Sequence, residues 1–254
     1  MNKQSPQVKW KNNFNTSTSL KSISCLITGF DPFNDAYENP SASIAKAMPN
    51  YLNLKKSDLK VSIKSTILPS IGDKAWSMLK SQIDALPAKK NSIIVMIGQA
   101  AKRKVIGIER FALNFRDYKI KDNTGKIFIA QRINVRAPEA IRTDAPIEAV
   151  LKYLLATGLP VEDSNHAGTF ICNETYFRAL HYINYLKLPC MVYFVHVPLP
   201  RIYSKALADA KLARWSKLAT GKENQLKAMT EAIKLLVKFS AEYIIENDIL
   251  FVEH

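Results

Sequence analysis

A short, uninterrupted apolar run fixes the class of fold this chain can adopt. Ser92 to Ile97 carries almost no polar residue and stops at Gly98. A run this short cannot be a helix of ordinary length, and a strand apolar at every position must be covered on both faces. Two further segments read as strands. Ser22 to Phe30 is apolar at Ile23, Leu26 and Ile27 before Gly29 and the Asp31-Pro32 turn, and Met191 to Val197 is closed by Pro198. Leu59 to Leu68 instead alternates apolar and polar residues, as a half-buried strand does.

Helical spacing separates these runs. Ser41–Met48 and Asn173–Tyr185 have helical composition. Asp73–Leu86 places Trp76, Leu79 and Ile83 three and four apart, and Pro146–Thr157 ends at Gly158. Glu223–Ile245 is a long amphipathic helix with Leu226, Met229, Ile233, Leu236 or Val237, and Ser240 on one face. Ile108–Phe115 is either strand or irregular, and Asp122-Asn123-Thr124-Gly125 is a turn. Strands alternating with helices predict an α/β fold, a three-layer α/β/α sandwich around a central, largely parallel twisted sheet. No linker interrupts the pattern, so residues 22–254 are expected to form one domain after a basic, polar tail of residues 1–21.

Composition narrows the function. With 36 Lys+Arg against 22 Asp+Glu among 254 residues the formal charge is +14, which taken alone suggests an anionic partner. Neither a helix-turn-helix pattern nor a set of stacking aromatics accompanies it. The reading therefore favours a Lys-rich solvated surface over nucleic-acid binding. Basic segments left for the rival reading are the tail, Lys102-Arg103-Lys104 and Arg201 to Lys222. No apolar stretch approaches the ~20 residues needed to span a bilayer, and the first 20 residues lack the apolar core of a secretory signal. Three cysteines make no disulfide framework and suit a reducing compartment, so a cytoplasmic location is expected. The sequence has no Walker loop, GxGxxG, CxxC or HExxH, so neither a metal nor an organic cofactor is expected.

What remains is a thiol and a histidine. Cys25 and Cys190 fall in or beside strands, where small buried thiols are common. Cys172 instead opens the helix that begins at Asn173, where the positive end of the helix dipole favours a thiolate. His196 ends the strand Met191–Val197, and groups at the C-terminal ends of strands line the sites of open α/β sheets. His166, in a loop, and His181, in mid-helix, are weaker candidates.

Four segments resemble the pyroglutamyl peptidase I family, the pyrrolidone-carboxylate peptidases, which are cysteine peptidases. They are Thr28-Gly29-Phe30-Asp31-Pro32-Phe33 with Asn39-Pro40-Ser41; Gly98-Gln99-Ala100 with Glu109-Arg110-Phe111-Ala112-Leu113-Asn114; the turn Asp122–Gly125; and Gly168-Thr169-Phe170-Ile171-Cys172-Asn173 with His196-Val197-Pro198. Their order and spacing follow the family from Ser22 to about Pro200. The resemblance implies a triad of Cys172, His196 and Glu109, and a peptide substrate blocked by N-terminal pyroglutamate. Phe30 and Phe33 match positions that pack on the lactam ring, and Asn39 and Gln99 match positions near it. It also implies a homo-oligomer, a dimer or tetramer. Glu109 rests on the resemblance alone, because beside Arg110 it reads as a surface pair.

The chain departs from the family where Asn34-Asp35 and Ala101-Lys102 replace glycines and where Lys119 replaces an arginine. Glycine reaches positive φ more readily, so both loops are expected to be reshaped. The alternatives are a member with altered catalysis or a basic anion-binding protein on the same fold.

Overall fold

The computed structural model describes residues 23–54, 59–87 and 91–247. The basic tail and Ser22 lie outside the described residues. Nine strands are present among them: β1 (Ile23–Phe30), β2 (Tyr51–Asn53), β3 (Lys60–Leu68), β4 (Ser92–Gln99), β5 (Ile106–Glu109), β6 (Phe111–Leu113), β7 (Ala140–Arg142), β8 (Val161–Ser164) and β9 (Cys190–Val197). The helices are α1 (Pro40–Lys46), α2 (Gly72–Asp84), α3 (Ile147–Ala156), α4 (Ile171–Leu186), α5 (Pro200–Ala208), α6 (Ala213–Ser216) and α7 (Lys222–Glu246).

Seven strands form one sheet in the order β2-β3-β1-β4-β9-β5-β8. The neighbours β3-β1-β4-β9 run parallel, as does β5 with β8, while β2 and β5 pair antiparallel with β3 and β9. The apolar runs occupy the centre because each strand there is covered twice. Ile93, Val95, Ile97, Tyr193 and Val195 pack toward α1, α3, α5 and α7; Ile94, Met96, Val192 and Phe194 pack toward α2 and α4. That alternation buries every residue of β9 and explains why no polar residue interrupts β4 before its end. The result is the expected three-layer α/β/α arrangement.

The undecided segment 108–115 resolves into two strands that break at Arg110. β5 joins the main sheet, whereas β6 pairs with β7 in a separate ribbon. Arg110 turns outward to Asp163 and Glu148. Its neighbour Glu109 therefore points inward, the strand's alternation sending the two side chains to opposite sides.

Burial also sets a pH limit on the fold. Burial raises the Cys190 thiol to about 12 and Cys25 further still, and it raises the phenols of Tyr176, Tyr193 and Tyr203. The unfolded chain loses these protons first as pH rises, so the stability they contribute is present below about pH 9 and falls above it. The urea midpoint is expected to decline between pH 9 and 10.5. A flat midpoint would contradict this burial.

Candidate active site

The site forms where the parallel strands end. Phe30 and Gln99 close β1 and β4, and His196 is the penultimate residue of β9. The chain leaves β1 for α1 on one face of the sheet and leaves β3 for α2 on the other before adding β4 beside β1, and such a switch point opens a crevice beyond the strand ends. A cavity of about 480 Å³ lies there. Phe30, Phe33, Asn39, Gln99, Cys172 and His196 all line it. Glu109 stands behind His196, fully buried.

Cys172 is the second residue of α4, which begins at Ile171, slightly earlier than the sequence suggests. Two contacts hold the thiol over the sheet. Asn173 clamps β6, accepting from the Leu113 N–H at 2.8 Å and donating to the carbonyls of Leu113 and Phe115 at 2.9 and 2.8 Å. Below it, Gly98 pairs in register with His196. A Cβ on Gly98 would lie 2.9 Å from the Cys172 sulfur and 2.9 Å from the Phe194 ring. The sulfur thus sits on the backbone beside His196, and only glycine leaves it room. Gly98→Ala is expected to keep the fold and lose roughly 10²-fold in kcat/KM, the cost of a displaced reacting group. Undiminished turnover would show that the thiol's seat is unimportant.

The helix dipole alone does not deliver a thiolate here. Burial of the sulfur, and then the nearby Glu109 charge, raise the Cys172 thiol to about 12; the backbone N–H of the helix start opposes them and is the smallest of the three influences. The thiol therefore keeps its proton at neutral pH unless a base takes it. A base lies in the same cavity: His196 Nδ1 is 2.7 Å from Glu109 Oε1, leaving Nε2 as the other ring nitrogen. The Tyr176 hydroxyl braces the strand that carries the carboxylate, donating to the Glu109 carbonyl at 3.2 Å.

The cavity's other wall is aromatic. The Phe170 ring lies 5.9 Å from Phe33 and 4.6 Å from Tyr118. The 30–33 loop is tied down from several sides. Asn39 caps α1, its Oδ1 accepting from the Ser41 N–H and hydroxyl, and its Nδ2 donates to the Asp31 carbonyl. Asn123 of the 122–125 turn donates to the Pro32 carbonyl at 2.9 Å. Asn39 thus braces the loop, whereas Gln99 Oε1 is buried with no hydrogen-bond partner among the described residues, a free acceptor at the cavity.

A family model described as pyroglutamyl peptidase matches residues 23–238. The chain belongs to the pyroglutamyl peptidase family. A pyrrolidone-carboxylate peptidase of Alkaliphilus oremlandii is 34% identical over 173 residues, covering 68% of this chain and 77% of that one. Another, from Fusobacterium nucleatum, is 29% identical over 88% of this chain and 94% of its own length. The pyrrolidone carboxyl peptidase of Thermococcus litoralis superposes with a TM-score of 0.71 at 28% identity, over 91% of this chain and 98% of that one.

The positions at which this pyroglutamyl peptidase family member departs from the family pattern differ in backbone and exposure. Asn34 and Asp35 adopt φ of 52° and 58°, the left-handed region that Asn and Asp enter more readily than other non-glycine residues. Both residues thus occupy a backbone region in which glycine is the least strained residue. Ala101 and Lys102 have no positive φ. Lys119 is exposed and paired with Asp117, outside the cavity lining. His166, weak in sequence, reaches the cavity rim, while His181 does not.

Sequence reasoning overlooked two members of the site. Phe170 lines the cavity, and only its place in the Gly168–Asn173 segment could have pointed to it. Arg103, read as part of a basic run, is instead bound to Glu109. Among the described residues, no His, Cys, Asp and Glu cluster could hold a metal ion, and no helix is long and apolar enough to cross a membrane.

Proposed function

We infer that this chain hydrolyses the amide bond following an N-terminal pyroglutamyl residue, by acyl transfer through a thioester on Cys172. The observation that carries the reading is His196, held at 2.7 Å by the buried Glu109 and lining a cavity shared with Cys172 and walled by Phe30, Phe33 and Phe170. A pyroglutamyl ring has no ammonium group, so recognition must rest on ring shape and on one N–H and one C=O. An apolar, aromatic cavity with the unpartnered Gln99 Oε1 suits that chemistry.

In this mechanism His196 takes the Sγ proton as the thiolate attacks the pyroglutamyl carbonyl. Glu109 fixes the ring tautomer and stabilises the imidazolium. The backbone N–H of Cys172, at the start of α4, faces the developing oxyanion. His196 returns the proton to the leaving amine, and water then hydrolyses the thioester, restoring the thiol and releasing pyroglutamate. No step calls for a metal or an organic cofactor.

The reaction is placed in the cytoplasm, a reading supported by the free cysteines Cys25 and Cys190 in the core. Residues 22–254 are proposed to act as one α/β domain, supported by a seven-stranded sheet that joins β1 to β9 and by the packing of α7 into the same core as β1 and β4. The family resemblance supports a homo-oligomer, which sedimentation velocity would measure.

Pyroglutamyl, prolyl and glutaminyl coumarylamides test the specificity. Only the pyroglutamyl compound is expected to be cleaved. Cleavage of free-amine substrates at a comparable rate would overturn the reading.

A further inference from the structure

Arg103 belongs to no recognised role, yet it touches the one carboxylate on which the triad depends. It sits in the loop between β4 and β5. Its Nη2 donates to Glu109 Oε1 at 2.8 Å and to the Ser164 hydroxyl at 2.6 Å, while Nη1 donates to Glu162 at 3.0 Å. The same Oε1 is 2.7 Å from His196 Nδ1. One carboxylate oxygen thus receives a guanidinium on one side and the imidazole on the other. The second oxygen, Oε2, is buried with no hydrogen-bond partner among the described residues.

This arrangement has an electrostatic consequence. A fully buried carboxylate holding a neutral imidazole has no compensating charge, and burial disfavours its ionised form. Arg103 supplies the missing charge. The other groups around the carboxylate do not: Cys172 and Tyr176, both on α4, are neutral acids, and Arg110 next door is committed to Asp163 and Glu148 on the outer side. On β8, Glu162 and Ser164 hold the guanidinium rather than the carboxylate. The backbone makes room for the guanidinium as well. A Cβ on Gly107 would lie 2.7 Å from Arg103 Nη1, so the guanidinium rests directly against that glycine.

We propose that Arg103 is a positioning residue of the reaction, holding Glu109 ionised and oriented toward His196 and thereby setting the lowest pH at which the site is active. The proposal rests on the pyroglutamyl peptidase reading. The sign of its effect is independent of which group titrates. Removing a fixed positive charge makes every remaining proton of the Glu109–His196–Cys172 cluster harder to lose, so the acid limb of the pH profile moves to higher pH.

The test uses full-length Arg103→Met, Arg103→Lys and Gly107→Ala. Two profiles are measured from pH 5 to 9: kcat/KM on a pyroglutamyl coumarylamide, and the rate of Cys172 alkylation by iodoacetamide, which needs no peptide substrate. In Arg103→Met both acid limbs are expected to rise by about one unit, so that below the limb the loss is roughly tenfold greater than on the plateau. Arg103→Lys keeps the charge without the fork, and its limb stays near that of the parent. Gly107→Ala displaces the guanidinium and moves the limb in the same direction as Arg103→Met, which preserves the test if the methionine variant does not fold. Uniform loss at every pH, with both limbs unmoved in the folded variants, would reduce Arg103 to a structural role and overturn the proposal. If the parent alkylates with the expected profile yet cleaves no pyroglutamyl amide, the substrate reading fails, and the alkylation limbs still decide the role of Arg103.

Discussion

Cys172→Ala is expected to lose at least about 10⁴-fold in kcat/KM on a pyroglutamyl amide while remaining folded. The magnitude follows from removing a nucleophile whose partners act as a unit with it. No other thiol can replace it. Cys25 and Cys190 are buried within β1 and β9 and do not line the cavity. Removing one half-buried sulfur costs on the order of 1 kcal/mol of stability, so thermal unfolding should shift by only a few degrees. Turnover equal to that of the parent chain would place the chemistry elsewhere.

The second large effect concerns stability. Glu174, two residues beyond Cys172 in α4, is fully buried. Its Oε1 accepts from Arg116 at 3.1 Å and from Arg178 at 2.9 and 2.7 Å, and its Oε2 accepts from the Tyr118 hydroxyl at 2.7 Å. Burial, then the Glu174 charge, raise the Tyr118 phenol, which therefore remains a donor. One carboxylate thus ties the start of α4 to the 115–118 loop. Glu174→Gln leaves two guanidinium groups facing a neutral amide. Breaking a buried pair in this way costs about 3–5 kcal/mol, and the midpoint of thermal unfolding should fall by roughly 10 °C. A shift no larger than that of an exposed pair such as Lys80–Asp84, disrupted by Lys80→Ala, would show that the network adds nothing.

The two kinds of information in the sequence had different reach. The central strands were legible because both their faces are covered, which leaves an unbroken apolar run in Ile93–Ile97 and in Met191–Val195. Edge elements leave no such trace. β8 is Val-Glu-Asp-Ser and β2 is Tyr-Leu-Asn; each is a strand only because a neighbour offers a ladder to complete. The reversed direction of β5 was invisible for the same reason, since pairing direction depends on the partner rather than on the segment.

At the site, Cys172 and His196 could be picked out by position, one at a helix start and the other at a strand end. The charged residues could not. Glu109 and Arg110 are adjacent and opposite in sign, which reads as a solvated pair, yet the strand sends one inward to His196 and the other outward. Arg103 lay between two lysines, and its compensation comes from Glu109 on the next strand. Local pairing engages other cations around the site as well, although the net charge stays at +14. Lys119, Arg103, Arg110 and Arg116 all have carboxylate partners.

The central claim is that a pyroglutamyl acyl group passes through Cys172. The most direct measurement is labelling with pyroglutamyl diazomethyl ketone, an affinity reagent that alkylates a nucleophilic thiol in a pyroglutamyl site, followed by peptide mapping by mass spectrometry. The account predicts loss of activity in step with one adduct, found on the peptide containing Cys172 and absent from those containing Cys25 and Cys190. An adduct elsewhere, or full labelling of Cys172 with hydrolysis undiminished, would contradict it.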